Sequence, residues 1–317
     1  MKTWSTLVII TGFVMSAAPS VGQGVSFSTG PANTVNEGLI DCGARTRTSA
    51  VGEITSEDGV TRTVPAATHY QTAPHAQDLY NACAGYEPSR LSDIDLDAVE
   101  TMDAGGDEDV GHELFADNYF ELYVNGTLIA VDSVPFTPFN SSVVRFKAQR
   151  PVNLSVMGVD WEENLGLGSE AGRGSAYYPG DAGIVMHVQD ASGATVAITD
   201  DSWRAQTFYT SPLANRDCLI ADGQLRDSSA CSTDAPRDGS SYSAAFWDIP
   251  SDWMAPEFDD SAWPSAATFT NDTVGVDNKP GYTNFTDIFD APNADAIFIW
   301  SSNLVLDNLV LLRKTIE

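Results

Sequence analysis

The sequence NYFELYVNGTLIAV, at residues 118–131, is the stretch that decides the fold. Apolar residues at positions 120, 122 and 124 alternate with Glu121 and the tyrosines on either side of it. This period of two predicts a strand with one buried face and one wetter face. The pair Asn125-Gly126 then favours a two-residue turn of type I′, because both residues tolerate positive φ. The stretch therefore predicts an antiparallel hairpin.

Short apolar or alternating runs, separated by turn residues, recur along the rest of the chain and predict further strands. They lie at residues 143–146, 152–156, 183–188, 195–198, 297–300 and 304–313. Helical periodicity is weak, with a single helical turn predicted at residues 78–83. The patterns predict an all-β protein built on an antiparallel β-sandwich of the jelly-roll type, with long loops. We assign residues 111–317 to the sandwich and residues 23–110 to a loop-rich N-terminal part that packs on it.

The composition limits the partners that the chain can have. Its 317 residues include 44 acidic and 16 basic side chains, which gives a net charge of −28 at pH 7. A surface this negative repels the phosphates of nucleic acids and of anionic lipids, and it favours solubility in salty water. Hydrophobic residues make up 43% of the chain, enough for a sizeable core. We therefore expect a folded acidic protein that does not bind nucleic acid.

The N-terminus and the cysteines both indicate export. Lys2 precedes a short apolar run at residues 7–18, which predicts a secretory signal peptide at residues 1–22. The run is too short to anchor the chain in a bilayer, so no membrane insertion is expected. Four cysteines allow three pairings, and sequence proximity favours Cys42–Cys83 together with Cys218–Cys231. The chain is thus predicted to be secreted, to the periplasm or to the extracellular space.

Five segments occur in an order that resembles one known family. They are NYFELYVNG at 118–126, PVNLSV at 151–156, GDAGIV at 180–185, TDDSW at 199–203 and FDDSAWP at 258–264. This order is similar to that of galactose-binding-like jelly-roll modules, in particular the accessory β-sandwich domains of α-L-rhamnosidases and related glycosidases. The resemblance implies a jelly roll and a carbohydrate context, in some members with calcium. It does not imply hydrolysis, because the helical catalytic barrel of the rhamnosidases has no counterpart in these 317 residues.

The sharpest candidate for a ligand site is VDWEENLGLG, at residues 159–168. A tryptophan beside carboxylates suits a sugar, because an indole stacks on the C–H face of a pyranose while carboxylates and amides accept hydrogen bonds from its hydroxyls. We therefore expect Trp161 to lie exposed at the rim of the sandwich. The complete predicted site consists of Trp161, Glu162, Glu163 and Asn164, with Asp117, Asn118 and Asp181 as neighbours.

An acidic run upstream predicts a calcium site. Residues 93–97 read DIDLD and resemble the start of an EF-hand loop, but Ala98 and Ala104 stand where that loop needs glycine and glutamate. A different oxygen-rich loop is the remaining hypothesis, since a cation would hold together a segment whose charges repel one another. Its predicted ligands are Asp103, Asp107, Glu108 and Asp109.

The function predicted from these features is non-catalytic carbohydrate binding by a secreted protein, with a polysaccharide or glycan as the partner. Glu162 and Glu163 are adjacent and would point to opposite faces of a strand, which does not suit glycoside hydrolysis. Two alternatives stay open. A jelly-roll glycosidase or polysaccharide lyase would show a cleft with two facing carboxylates or a Tyr–His pair. A structural or adhesive surface protein would show a broad apolar patch or an open sheet edge.

Overall fold

The computed structural model describes residues 24–44, 46–136, 140–234, 239–291 and 294–317, so the signal peptide predicted at residues 1–22 lies outside the described residues. The described residues are mainly strand. In chain order the strands are β1 Ser26–Thr29, β2 Asn33–Asn36, β3 Val51–Thr55, β4 Thr61–Val64, β5 Gln77–Asn81, β6 Thr101–Asp103, β7 Glu108–Asp117, β8 Tyr119–Val124, β9 Thr127–Val131, β10 Asn140–Ala148, β11 Val152–Val159, β12 Glu170–Gly172, β13 Ser175–Tyr178, β14 Gly183–Asp190, β15 Thr195–Ile198, β16 Arg204–Leu213, β17 Ile220–Asp222, β18 Leu225–Asp227, β19 Ser243–Phe246, β20 Ala267–Phe269, β21 Asp290–Ala291, β22 Ala294–Asp295, β23 Phe298–Trp300 and β24 Asp307–Ile316.

The helices are short turns between strands. The α-helical turns are α1 Asn271–Val274, α2 Pro280–Thr283 and α3 Thr286–Phe289, and 3-10 turns lie at Leu91–Asp93, Leu96–Ala98, Arg216–Cys218 and Gly239–Ser241. Within the described ranges, every helix is too short to cross a bilayer.

Most of the described strands belong to two large sheets. The first has seven strands in the order β1-β19-β16-β24-β11-β8-β9. The second has eight, along the path β20-β23-β14-β7-β10-β5, with β15 beside β14 and β6 beside β10. The sheets enclose a common hydrophobic core, to which Phe120, Val156 and Leu312 contribute from the first sheet and Phe146 and Met186 from the second. The predicted all-β sandwich is therefore confirmed, while the jelly-roll connection stays a prediction.

The hairpin at the start of the sandwich forms as expected. β8 and β9 pair antiparallel around Asn125 and Gly126, whose φ values of 48° and 80° are those that a type I′ turn requires. The prediction of a wetter face on β8 is wrong, however. Tyr119, Glu121 and Tyr123 are 0%, 1% and 6% exposed, because a further layer of the protein covers this side of the sheet.

The N-terminal part of the chain supplies that covering layer. β2, β3 and β4 form a three-stranded sheet. Val51, Ile54 and Val64 from this region belong to a second hydrophobic cluster, together with Tyr119 and Leu311 of the seven-stranded sheet. The seven-stranded sheet is therefore buried on both faces, as strands sandwiched between two layers generally are.

The N-terminal part also contributes strands to the sandwich itself. β1 pairs with β19 and β5 pairs with β10. β7 begins at Glu108, so the boundary that we placed at residue 110 falls inside a strand. The helical turn predicted at residues 78–83 is wrong, because Gln77–Asn81 is strand β5 and buries Leu79 in the sandwich core.

Two disulfide bonds fasten the outer parts of the fold, and both predicted pairings are confirmed. Cys42–Cys83 joins the segment before β3 to the residues just after β5. Cys218–Cys231 closes the hairpin formed by β17 and β18. Each bond therefore holds a loop-rich segment against the strands that flank it.

Candidate functional site

The loop predicted to bind a ligand follows β11, but its aromatic ring is sealed inside the protein. Trp161 is 1% exposed, and its ring meets Tyr119 edge-on with the ring centroids 5.4 Å apart. Its Nε1 donates a hydrogen bond to the carbonyl oxygen of Ala50 at 2.9 Å, so the N-terminal layer covers the indole. The prediction that Trp161 is exposed is wrong, and this ring is not accessible to a sugar.

Glu162 is also buried, and it organises the loop rather than meeting a ligand. Its Oε1 accepts hydrogen bonds from the backbone N–H of Gly166 at 2.6 Å and from the hydroxyl of Tyr209 at 2.9 Å. Its Oε2 has no hydrogen-bond partner among the described residues. Burial raises the pKa of Glu162 to about 8, so the side chain is mostly neutral at pH 7. Its predicted role as a ligand-facing carboxylate is therefore wrong.

Glu163 and Asn164 are partly exposed, and both are used by the fold. Oε2 of Glu163 accepts from the backbone N–H of Ala171 at 2.8 Å, and Nδ2 of Asn164 donates to the carbonyl oxygen of Ala176 at 2.9 Å. These bonds fasten the loop to the small hairpin of β12 and β13. The side chains thus have structural partners at the surface where a ligand was predicted.

The three predicted neighbours lie at the same end of the sandwich, because Asp117 ends β7, Asn118 lies between β7 and β8, and Asp181 precedes β14. Asn118 is buried, and its Oδ1 accepts from the backbone N–H of Trp161 at 2.7 Å, which holds the two strand ends together. Asp181 precedes β14, and burial raises the pKa of its carboxyl group. The side chain of Asp117 lies outside the described part of the structure.

The side chains of Arg47 and Arg173 lie close to carboxylates at this end of the sandwich. Burial raises the pKa of Glu170, and Arg47 forms an ion pair with Glu170 while lying 3.9 Å from Glu163. At Asp181, the positive charge of Arg173 lowers the pKa of the carboxyl group, which opposes the effect of burial. The arrangement ties the loop 160–170 to the N-terminal layer, which explains how it becomes covered.

Two of the carboxylates predicted to bind calcium accept hydrogen bonds from other groups of the protein. Oδ1 of Asp103 accepts from the backbone N–H of Gly105 at 2.9 Å. Arg150 binds both oxygens of Glu108 at 2.7 to 3.0 Å, and this hydrogen bonding lowers the pKa of Glu108. Asp107 is exposed, and the side chain of Asp109 is not among those described. No three His, Cys, Asp or Glu side chains within the described ranges are grouped closely enough to hold a metal ion, so calcium stays a prediction.

A cluster that the sequence did not predict is centred on Glu121 of β8. Oε1 of Glu121 accepts from Thr68 Oγ1 at 2.9 Å, from the hydroxyl of Tyr119 at 3.0 Å and from the backbone N–H of His69 at 2.5 Å. Oε2 accepts from the hydroxyl of Tyr123 at 2.9 Å and lies 2.9 Å from Nδ1 of His69. Burial, and next the charge of Glu121, raise the pKa of both tyrosines, so the phenols keep their protons and donate.

His69 connects this buried carboxylate to solvent. Its side chain is 57% exposed, whereas that of Glu121 is 1% exposed. Because a carboxylate only accepts hydrogen bonds, Nδ1 of His69 carries the proton in this pair, and in the neutral imidazole Nε2 is then the acceptor. Among the described residues, none forms a hydrogen bond with Nε2. The imidazole is thus fixed on one side and available on the other.

A cavity of about 320 Å³ adjoins the same loop. Its polar lining consists of Asn36, Thr63, Thr68, Gln71 and Thr72, and we call it the threonine cavity. The rest of its wall is apolar and comes from Leu39, Val51 and Ala67. Every polar side chain in this wall is neutral, although the chain as a whole carries a net charge of −28.

A second cavity, of about 380 Å³, shares Thr63 and Ala67 with the first. We call it the aromatic cavity, because rings from β16 and from the end of β19 line it: Phe208, Tyr209, Phe246 and Trp247. Arg62 and Asp248 also line it and form an ion pair at 2.8 Å. Thr63 and Ala67 thus line both a cavity with neutral polar groups and a cavity with aromatic rings.

One signal for the Glu121 cluster is visible in the sequence. Tyr119 and Tyr123 stand two residues before and after Glu121, so all three share one face of a strand. The pattern does not reveal that Thr68 and His69, more than fifty residues away in the sequence, meet that face. Sequence periodicity describes one strand at a time and contains no information on such distant partners.

Comparison of the chain with models of protein families, with curated proteins and with solved structures finds no match. The resemblance of residues 115–266 to galactose-binding-like modules therefore stays a prediction.

Proposed function

We propose that this chain is a secreted carbohydrate-binding protein that holds a neutral glycan in the threonine cavity. The observation that supports the proposal best is the wall of this cavity, which consists of five neutral hydrogen-bonding side chains and three apolar residues. The resemblance to galactose-binding-like modules and the two disulfides are in keeping with an exported, sugar-binding role.

Hydroxyl and amide side chains suit a sugar because each can both donate and accept a hydrogen bond, as sugar hydroxyls do. The apolar residues Leu39, Val51 and Ala67 match the C–H face of the ring. A volume of about 320 Å³ is at the lower end of the range found for small-molecule sites, and it suits one or two sugar units. A charged ligand would find no counter-ion in this wall.

The aromatic cavity extends the proposed site. It shares Thr63 and Ala67 with the threonine cavity, so we propose that a longer glycan also contacts residues of the aromatic cavity. The rings there are mostly covered, with Phe208 and Trp247 at 2% and 3% exposure. At this exposure the rings do not stack on a sugar, and the paired Arg62 and Asp248, which are partly exposed and exposed respectively, offer the polar contacts.

The proposal is tested by measuring glycan binding with an array and then by calorimetry on the best neutral oligosaccharide. Gln71 and Thr72 are exposed and line the threonine cavity, so the double variant Gln71→Ala, Thr72→Ala removes two contacts without disturbing the core. We expect Kd to rise about five- to a hundredfold, since each of the two hydrogen bonds contributes roughly 0.5–1.5 kcal/mol.

The matched control is Gln149→Ala, because Gln149 is an exposed glutamine outside both cavities. Its Kd should equal that of the wild type. Repeating the titration with a chelator tests the predicted calcium ligands at Asp103, Asp107, Glu108 and Asp109 separately. Absence of binding across neutral glycans, or equal weakening by the control, would overturn the proposal.

A further inference from the structure

We infer that His69 is a general base that hydrolyses acyl esters on a glycan held in the threonine cavity, with Glu121 as its positioning residue. This inference rests on the proposed function and adds a reaction to it. The chain would then be a carbohydrate esterase rather than a purely binding protein.

The geometry of the pair is what general base catalysis requires. Glu121 Oε2 lies 2.9 Å from Nδ1 of His69, and the carboxylate is held in place by Thr68, Tyr119 and Tyr123. With the proton fixed on Nδ1, Nε2 is the basic atom, and the 57% exposure of the side chain leaves it open to water and substrate. A buried carboxylate that orients an imidazole in this way is the recurring base arrangement of acyl-transfer enzymes.

His69 and Thr68, a residue that lines the threonine cavity, both contact Glu121. Thr68 Oγ1 binds one oxygen of Glu121, and the ring of the next residue, His69, binds the other. Thr68 lines the cavity, as do Gln71 and Thr72 on the other side of His69 in the sequence. His69 is thus flanked in the sequence by residues that line this cavity, and we infer that its exposed imidazole reaches a sugar bound there.

Cleavage of the glycosidic bond is not the reaction that this cluster supports. That chemistry uses two carboxyl groups that flank the bond, one of them as an acid or a nucleophile. Both oxygens of Glu121 are occupied by donors, and its side chain is 1% exposed. Glu121 thus has no free lone pair directed at a substrate, and the exposed reactive atom is Nε2 of His69.

The proposed step consumes one water and needs no other co-reactant. Nε2 of His69 takes a proton from water as the water oxygen adds to the ester carbonyl of the acylated sugar. The tetrahedral intermediate then collapses, the bond between the carbonyl carbon and the sugar oxygen breaks, and the imidazolium returns the proton to that oxygen. The products are a carboxylic acid and the free sugar hydroxyl.

The test measures acetate release from glucose pentaacetate and from acetylated glucomannan by the full chain. We expect the wild type to release acetate and His69→Gln to lose about a hundredfold or more in kcat/KM, the usual contribution of a general base. His75→Gln is the matched control, because His75 belongs to the same loop and its Nε2 already binds the carbonyl oxygen of Tyr70 at 2.8 Å. This control should keep the wild-type rate.

The positioning role of Glu121 is tested by Glu121→Gln, which should lower kcat while leaving KM close to that of the wild type. Circular dichroism and the thermal midpoint show whether each variant folds, and His69→Asn provides a second substitution at the exposed position. No acetate release by the wild type, or equal rates for wild type and both His69 variants, would overturn the inference.

Calorimetry with the deacetylated oligosaccharide separates this inference from the proposed function. Binding by the wild type without acetate release would overturn the role of His69 and leave the carbohydrate-binding proposal standing. Acetate release that depends on His69, but that the Gln71→Ala, Thr72→Ala variant performs with unchanged KM, would instead overturn the cavity as the binding site.

Discussion

At the scale of single residues, three buried carboxylates of this protein differ in the donors that surround them. Glu121 accepts hydrogen bonds from both phenols of its own strand and from the loop at Thr68. Asp307 accepts from four hydroxyl groups, those of Thr207, Thr210, Ser228 and Ser301. Glu162 has two donors, both on Oε1, and an unpartnered Oε2. Of these three carboxylates, Glu162 is therefore the one whose ionisation the fold tolerates least.

Replacing Glu162 by glutamine should remove part of the pH dependence of stability. The folded pKa of about 8 lies above the ordinary value of 4.5, so the folded state keeps a proton that the unfolded state releases. The contribution of Glu162 to the free energy of unfolding is thus fully present below the unfolded pKa of 4.5, and it is lost as the pH rises from there through the folded pKa. The loss amounts to on the order of 4 kcal/mol.

Urea unfolding of the wild type and of Glu162→Gln between about pH 5 and about pH 9 measures this effect. The difference between the two proteins isolates Glu162 from the other titrating groups. The wild type should lose stability relative to the variant across this range. Parallel curves for the two proteins would show that Glu162 does not hold its proton in the folded state.

At the scale of elements, two charged side chains on the outer face of the seven-stranded sheet each hold a covering segment. Glu121 of β8 binds the loop at Thr68 and His69. Arg313 of β24 is buried and binds Asp260 at 2.8 Å, together with the carbonyl oxygens of Trp253 and Ala255. Residues 253–260 are thus fastened to the sheet by one guanidinium group.

Substituting Arg313 by methionine should therefore loosen a whole segment as well as lower stability. We expect a loss of about 3 kcal/mol, because the change leaves buried carbonyl groups without a donor and a carboxylate without its partner. Hydrogen exchange should rise across residues 253–260. The control is Arg204→Met, since Arg204 is paired with Arg313 in the sheet but is partly exposed, and within the described residues its side chain donates to the carbonyl oxygen of Trp263. Equal effects of both substitutions would contradict this assignment.

The elements that the sequence predicted are those with a strong local pattern. The hairpin of β8 and β9, the core strand β11 and most of β24 follow from apolar periodicity and a turn dipeptide. The N-terminal covering layer does not follow from the sequence in this way. Its strands β2, β3 and β4 have weak apolar patterns, and they pack on a sheet whose residues are far away in the sequence. This omission also explains the error at Trp161, since Ala50, which closes over that indole, lies more than a hundred positions earlier.

At the scale of the whole molecule, the excess of acidic residues is the dominant electrostatic feature. The net charge of −28 makes the folded state repel itself, since compaction brings the charges closer together than they are in the open chain. Few of these charges are paired with basic groups, because the chain has only 16 lysines and arginines. Added salt should consequently stabilise the fold.

We expect the thermal midpoint to rise between about 0.05 M and about 0.5 M NaCl, by roughly 2 °C for each kcal/mol of repulsion that is screened. Differential scanning calorimetry on the folded chain measures this shift. Choline chloride at the same ionic strength is the control, because screening depends on ionic strength and not on the identity of the cation. A fall of the midpoint with either salt would show that attractive surface ion pairs outweigh the repulsion.

The place of β24 in the seven-stranded sheet has a consequence for how the protein is made. This strand, Asp307–Ile316, lies between β16 and β11, so it joins the two halves of the sheet. A nascent chain that has left the ribosome only as far as residue 300 has two open strand edges and no means to close them. We expect the seven-stranded sheet to close only after β24 has been synthesised, because until then β16 and β11 have no strand between them.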